Sequence, residues 1–318
     1  MAKSLFAALG ALILLAASPV LAEPLALGTS TTRSSTYGMG LALAKAAAEK
    51  AGLDIRVTPH GSTTQAVPLV QNGEVMLART NAVEASAAYN GTGAFKGQPN
   101  DKLRLLATLF PFKMALGVRS DDPARSVTDL KGRPLPAGFS TALTGQALVD
   151  GLLAAGGLAP DEIEPVEVLS FSAMADEFVA GRIAAYIFVI GSSRDKELFR
   201  RVGGLRALPL PEGPEAKARL KQHLPVGRIE TIQPHGDIPG VEEPTRVLVY
   251  DYFLYGNAEL PEETVRALLS AIIESREELI ASVPAFRWFS VEGIAKQVDV
   301  PYHPAAEAYY RELGLWAQ

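Results

Sequence analysis

Cysteine is absent from the 318-residue chain. That excludes disulfides, thiolate nucleophiles and cysteine-ligated metal, and it leaves the compartment open. A strong excess of one charge is also missing. The 30 Lys and Arg against 35 Asp and Glu leave a net charge of −5, with no basic stripe, which argues against nucleic acid as a partner. Neither GxGxxG nor GxxxxGK[ST] occurs, and "GTSTTRSS" (Gly28–Ser35) is not a substitute for either. Histidines are few, at 60, 223, 235 and 303. Of these His223 and His235 approach Asp237, but in a loop-rich stretch without tight ligand spacing, so neither a metal nor another cofactor is expected. Ser62 lies beside His60 with no third member in view, and sequence adjacency does not place a base against a nucleophile. No apolar run of membrane-spanning length follows residue 22.

The first residues do carry a pattern. Lys3 precedes an apolar run from Leu5 to Ala17, and "SPVLA" ends at Ala22 with Val20 and Ala22 small enough for signal-peptidase cleavage. Residues 1–22 read as a secretory signal and the mature chain as starting at Glu23 outside the cytoplasm. The competing reading is an uncleaved membrane anchor.

Short apolar runs alternate with helix-period stretches. Strands are expected at "PLALGT", "DIRVTP" and "VMLAR", each followed by a helix, and the unit repeats after about Asp121. Strands separated by single helices imply α/β sheets covered on both faces. "KLRLLATLF" and "FKMALGVR" read as two strands split near Pro111, "VLVYDYFLYGN" as one long aromatic strand, and "LPEETVRALLSAIIESREELIAS" as a single amphipathic helix. Residues 222–246, rich in Pro and Gly, read as irregular. The last third has too few strands for its own sheet and is expected to complete the first domain. The expected organisation is therefore lobe 1 from 23–119 plus 247–318 and lobe 2 from 120–246, with crossings near 119–121 and 245–250. A cleft between lobes is a standard place for a ligand.

The chemistry-bearing residues cluster where strands end. Ligands of open α/β sheets sit beyond the carboxyl ends of strands, where helix N-termini also point N–H groups. The first such loop carries Thr29, Ser30, Thr31, Arg33, Ser34, Ser35 and Tyr37. Its hydroxyls can donate to an anion, and Arg33 can add a two-pronged contact to a carboxylate. The competing reading is a solvated loop with a helix cap. The second loop carries His60, Gly61, Ser62, Thr63 and Thr64, with Gln65 in the next turn. The third carries Arg79, Thr80 and Asn81, and Asn81 suits a cap as well as a ligand contact. In the second half, Phe139, Ser140, Thr141 and Thr144 stand at a strand-to-helix junction. Phe188, with Tyr186 two positions earlier, is a candidate lining residue of a type more often found in sheet core. Asp251 inside an apolar strand needs a partner, either ligand or an Arg at the lobe crossing.

The chain resembles the TAXI family of extracytoplasmic solute receptors, which serve tripartite ATP-independent periplasmic (TRAP) transporters. "LGTSTTRSSTYGMGLALAKA", "GSTTQAVPLVQNGEVMLARTNAVEASAAYNGTGAFKG", "FSAMADEFVAGRIAAYIFVIG" and "VDVPYHPAAEAYYRELG" carry the resemblance, with "AYNGTGAFKG" and the order Pro301, His303, Pro304, Tyr309 the most specific parts. It implies an α/β, two-lobed periplasmic binding protein fold (type II-like) with the ligand cleft between lobes. It also implies a small organic anion as ligand and a TRAP-type membrane permease as partner. It maps contacts to Gly28–Tyr37, Gly61–Thr64, Thr80–Asn81 and Ser140–Thr144. The departures lie in these regions: the first loop is not glycine-rich, "RTNAVE" has Ala82 where the family often has an acid, and "PLPAGFSTAL" replaces a glycine-rich stretch. With less fixed negative charge to meet an ammonium, 2-oxoglutarate or another dicarboxylate or 2-oxo acid is expected ahead of glutamate. The chain is expected to act as a monomeric receptor and not as an enzyme. A sensing module for a membrane partner, and an enzyme on a similar fold, are the alternatives.

Overall fold

Two long strands organise the molecule, and the computed structural model describes residues 24–316 apart from 33, 143, 237 and 297. The expected signal segment and Arg33 lie outside the described residues, as do Asp237 and the side chain of Ser35. The first lobe starts with β1 (Leu25–Thr29), α1 (Ser35–Ala51), β2 (Ile55–Pro59), α2 (Thr63–Gln71), β3 (Leu77–Asn81) and α3 (Ala82–Asn90). The first long strand is β4 (Leu103–Arg119). Lobe two holds β5 (Pro134–Gly138), α4 (Thr144–Gly156), β6 (Glu164–Val168), α5 (Phe171–Val179), β7 (Tyr186–Val189), α6 (Ser193–Val202), β8 (Leu205–Ala207), α7 (Pro214–His223) and β9 (Arg228–Ile232). The second long strand, β10 (Thr245–Asn257), leads back to α8 (Glu262–Glu274), α9 (Arg276–Ser282) and α10 (Pro304–Glu312).

β4 and β10 pair antiparallel from Leu103 opposite Asn257 to Met114 opposite Leu248. Their outer neighbours change partway along. Tyr252–Gly256 of β10 pairs with β3, and β1 joins β3 to β2 in parallel. Thr245–Val249 pairs instead with β9, while Met114–Arg119 of β4 pairs with β7 and β8. One eight-stranded mixed sheet thus runs through both lobes, where two separate sheets were expected; only β5 and β6 form a sheet of their own. Aromatic rings bridge the change-over: Tyr252 lies 5.7 Å from Phe110 and 5.5 Å from Phe112, and Phe112 lies 5.9 Å from Tyr250.

Pro111 does not split β4. It faces Asp251 of β10, in the gap on the other edge between Thr108, which donates to Ile294, and Met114, where β7 begins. A proline is tolerated where a strand has a free edge. The long C-terminal helix does break, at buried Ser275 (φ −97°, ψ 20°), into α8 and α9. β9 lies inside the stretch expected to be irregular, recruited as an edge strand by β10.

α1 forms for local reasons. Ser34 caps it by accepting from the Tyr37 N–H at 3.2 Å, alanines and leucines fill it, and Gly52 ends it at φ 65°. Met39, Leu43, Ala46 and Ala47 recur at helical spacing and are buried. α8 and α9 pack beside α1, closing this face of lobe one.

Candidate functional site

The strand directions decide where the loops meet. β3 ends at Asn81 beside Tyr252, and β7 ends at Val189 beside Met114. β3 and β7 therefore end on either side of the crossing, where β4 and β10 pass between the lobes. In lobe one the first two loops are tied together, because the His60 N–H donates to the Thr29 carbonyl at 2.9 Å. Among the described residues, every hydrogen bond of the three lobe-one loops stays within that lobe.

Not all the hydroxyls of the first loop are available to a ligand. Thr29 is buried, its hydroxyl proton shared between the Ser30 carbonyl at 3.1 Å and the more distant Thr58 carbonyl at 3.4 Å. Ser34 donates to the Thr31 carbonyl at 2.6 Å while capping α1. The Thr36 hydroxyl holds the Ser30 N–H at 3.3 Å. Thr31 is exposed, whereas Ser30 and Tyr37 are half-buried. In the second loop the Gln65 side chain accepts from the Gly61 N–H at 2.9 Å, and Ser62 stands at the start of α2 without using its hydroxyl as a cap. Asn81 is a cap, accepting from the Glu84 N–H at 2.9 Å.

Glu84 is the residue that sequence reasoning missed. It is 2% exposed, and its carboxylate receives hydrogen bonds from the hydroxyls of Thr63 (2.8 Å), Thr64 and Thr80. A hydroxyl has one proton, and an ionised carboxylate only accepts. With Glu84 ionised, Thr63 and Thr80 have therefore spent their donors and offer only lone pairs. An oxyanion is not welcome at that patch; Ser62 and the free N–H groups of α2 are the donors beside it. The legible signal was a Glu three positions after an Asn cap, which reads as ordinary helix chemistry.

Arg79 lies on the opposite face of β3. It is fully buried, with Nη2 donating to the Thr36 carbonyl and Nη1 set 3.2 Å from the Met39 sulfur. Burial pulls its pKa below the ordinary value, and the nearby Tyr252 and Tyr255 phenols oppose this only in part.

In lobe two the Thr141 N–H and hydroxyl both donate to the Leu169 carbonyl, at 2.9 and 2.7 Å, joining the ends of β5 and β6. Ser140 is exposed, and Thr144 opens α4 half-buried. Phe139 takes a left-handed backbone (φ 46°), which turns its ring into the core against Phe171 at 5.5 Å. Phe188 lies in the sheet core against Tyr186. The structure thus brings Ser30, Thr31, Ser62 and Ser140 to accessible strand ends, and commits Thr29, Ser34, Thr63, Thr80, Asn81 and Thr141 to internal bonds.

Asp251 has its partners. Arg228 of β9 grips it with two nitrogens at 3.0 and 3.1 Å, and Lys296 reaches it at 2.6 Å. Burial disfavours the Arg228 charge, but Asp251 and Glu230 outweigh it and hold that pKa above the usual value. Behind this cluster a small cavity of about 140 Å³ is lined by Phe110, Pro111, Trp288 and Lys296, apart from the hydroxyl loops. His60 Nε2 is buried with no hydrogen bond, so no base-and-nucleophile pair forms with Ser62. No group of three or more His, Asp or Glu among the described residues is placed to hold a metal.

This is the architecture of a two-lobed α/β solute-binding protein of the type II periplasmic class, with its cleft between the lobes. Residues 27–314 match the NMT1-like family, and the chain belongs to that family. It is similar to the aliphatic sulphonate binding protein SsuA of Escherichia coli: 16% identity, 93% of this chain and 94% of that one covered, TM-score 0.53. Against PhnD1 of Prochlorococcus marinus in complex with methylphosphonate the identity is 12%, coverage 92% and 98%, and TM-score 0.56. A TctC solute binding protein from Polaromonas gives 14% identity, coverage 92% and 95%, and TM-score 0.54. These likenesses establish the fold.

Proposed function

We propose that the protein is a periplasmic solute receptor that binds a small organic carboxylate between its lobes and delivers it to a TRAP-type membrane permease. The observation that supports this reading is that both lobes carry hydroxyls at strand ends, Ser30, Thr31 and Ser62 after β1 and β2 and Ser140 after β5. The resemblance of the sequence to TAXI receptors supports the permease, and the sulphonate- and methylphosphonate-binding namesakes of the same fold support an anionic ligand. Residues 1–22 act as the export signal, the mature chain works as a monomer, and no cofactor takes part. Lobe 1 (23–119 plus 247–318) and lobe 2 (120–246) close by bending at the two crossing strands, shifting an open–closed equilibrium toward the closed form.

The donors for the carboxylate are Ser30, Thr31, Ser62 and Ser140 with the adjoining N–H groups. Dicarboxylates and 2-oxo acids fit these donors. Glu84 favours a second reading, because its buried charge and the lone pairs of Thr63 and Thr80 suit an ammonium, which places glutamate beside 2-oxoglutarate. Isothermal titration with 2-oxoglutarate, succinate and L-glutamate tests both. Micromolar binding of at least one is expected, and silence across the set refutes the carboxylate receptor. E84Q is expected to weaken L-glutamate by about tenfold or more while sparing 2-oxoglutarate, since a hydrogen bond to a charged group contributes about 1.5–3 kcal/mol.

A further inference from the structure

Arg79 is fully buried yet has no anion to meet. No carboxylate among the described residues lies within ion-pair distance of it, its Nε has no partner, and one terminal nitrogen faces only a thioether, a weak acceptor. Glu84, the nearest buried acid in sequence, cannot serve. The pleat sends Thr80, which holds Glu84, to one face of β3 and Arg79 to the other. The surrounding phenols stay neutral, with burial pushing Tyr252 up to about 12 and Tyr255 well above its usual value. The helix beside it makes matters worse. Thr36 and Met39 belong to the first turns of α1, the positive end of a 17-residue helix. A desolvated cation at that end is strongly unfavourable until a negative charge arrives. The fold nevertheless builds this arrangement at the end of β3, directly under the Ser30–Thr36 loop.

We infer that Arg79 is the anchor for the ligand's carboxylate. In this structure its guanidinium rests on the Thr36 carbonyl, the Met39 sulfur and the face of the Tyr252 ring, 5.8 Å from the ring centroid. On binding, the carboxylate supplies the full negative charge that these neutral partners lack and meets the positive end of α1 at the same time. The burial that penalises the bare cation strengthens its attraction to an anion. The ligand class follows: a compact solute carrying a full negative charge on a planar, two-oxygen group that a guanidinium fork matches. The anchor rests on the receptor reading above.

The test combines thermal unfolding of the ligand-free protein with titration of 2-oxoglutarate and L-glutamate into wild type, R79K and R79M. An anchor predicts that ligand-free R79M melts no lower than wild type, because an unpaired buried charge is replaced by an apolar side chain of similar length. It also predicts about 100-fold or greater loss of carboxylate binding in R79M, with R79K intermediate because it keeps the charge and loses the fork. Wild-type-like affinity in R79M overturns the anchor and leaves the receptor standing. A large fall in the melting temperature of both ligand-free variants overturns it too, by making Arg79 a structural strut. If wild type binds neither carboxylate, the receptor reading itself fails, and the anchor with it.

Discussion

Replacing Asp251 by Asn removes the carboxylate that Arg228 and Lys296 share at the crossing. The side chain of Asp251 is 9% exposed, while those of Arg228 and Lys296 are 34% and 35% exposed. Breaking a fully buried ion pair costs about 3–5 kcal/mol, and an exposed one under about 1 kcal/mol. Here the acid is buried and its cations are screened by solvent, and Arg228 retains Glu230. The expected loss is therefore about 2 kcal/mol. At a few degrees per kcal/mol for a chain of this size, the melting temperature falls by roughly 3–6 °C. Circular dichroism during heating measures it, and urea titration with an unchanged slope confirms that the native state has lost stability while the surface exposed on unfolding is the same. Adding K296M to D251N is expected to cost less than the two single changes summed, because the residues share one contact. A D251N melting point within about 1 °C of wild type, against the several degrees expected from the pair energies, refutes the view that this cluster braces the crossing.

Gly145→Ala is expected to destabilise by about 1–3 kcal/mol through overpacking, because a Cβ there comes 2.2 Å from the Phe139 ring, itself wedged against Phe171. The urea midpoint reads this, and an unchanged midpoint shows that the ring can move aside. Asp122 gives a pH prediction: the two hydrogen bonds from Arg133, at 2.9 and 2.6 Å, outweigh burial and hold its carboxyl below the usual range. A depressed folded pKa means its contribution, on the order of 1 kcal/mol, is complete above the unfolded carboxylate value near 4 and is lost as pH falls through the folded value. D122N is expected to flatten that acid limb of the melting temperature against pH; an identical limb in the variant refutes the assignment.

Much of the architecture was legible because it rests on local chemistry. The alternation of short apolar runs with capped, amphipathic helices announces an α/β protein. Ser34 and Gly52 mark the ends of α1 from their own conformational preferences. The hydroxyl-rich loops fall at strand ends because a strand run followed by a helix cap puts them there. The Pro111 expectation failed for a non-local reason: whether a proline breaks a strand depends on what lies along its other edge, and that edge is supplied by Ile294 and by Val189 of β7, both far away in sequence. Ser275 similarly interrupts a helix whose hydrophobic spacing continues across it.

What the residues alone determined is the α/β alternation, the capped ends of helices such as α1 and the kinds of side chain offered at each strand end, since these depend on neighbours a few positions apart. Only tertiary structure decided which of those side chains remain free. A threonine hydroxyl reads the same in sequence whether it faces a ligand or donates its single proton to Glu84, and an arginine reads the same whether it is solvated or sealed under α1 without an acid. Partners for protons and charges are assigned by strand pairing and by the face a pleat presents, and both are fixed by contacts distant in sequence.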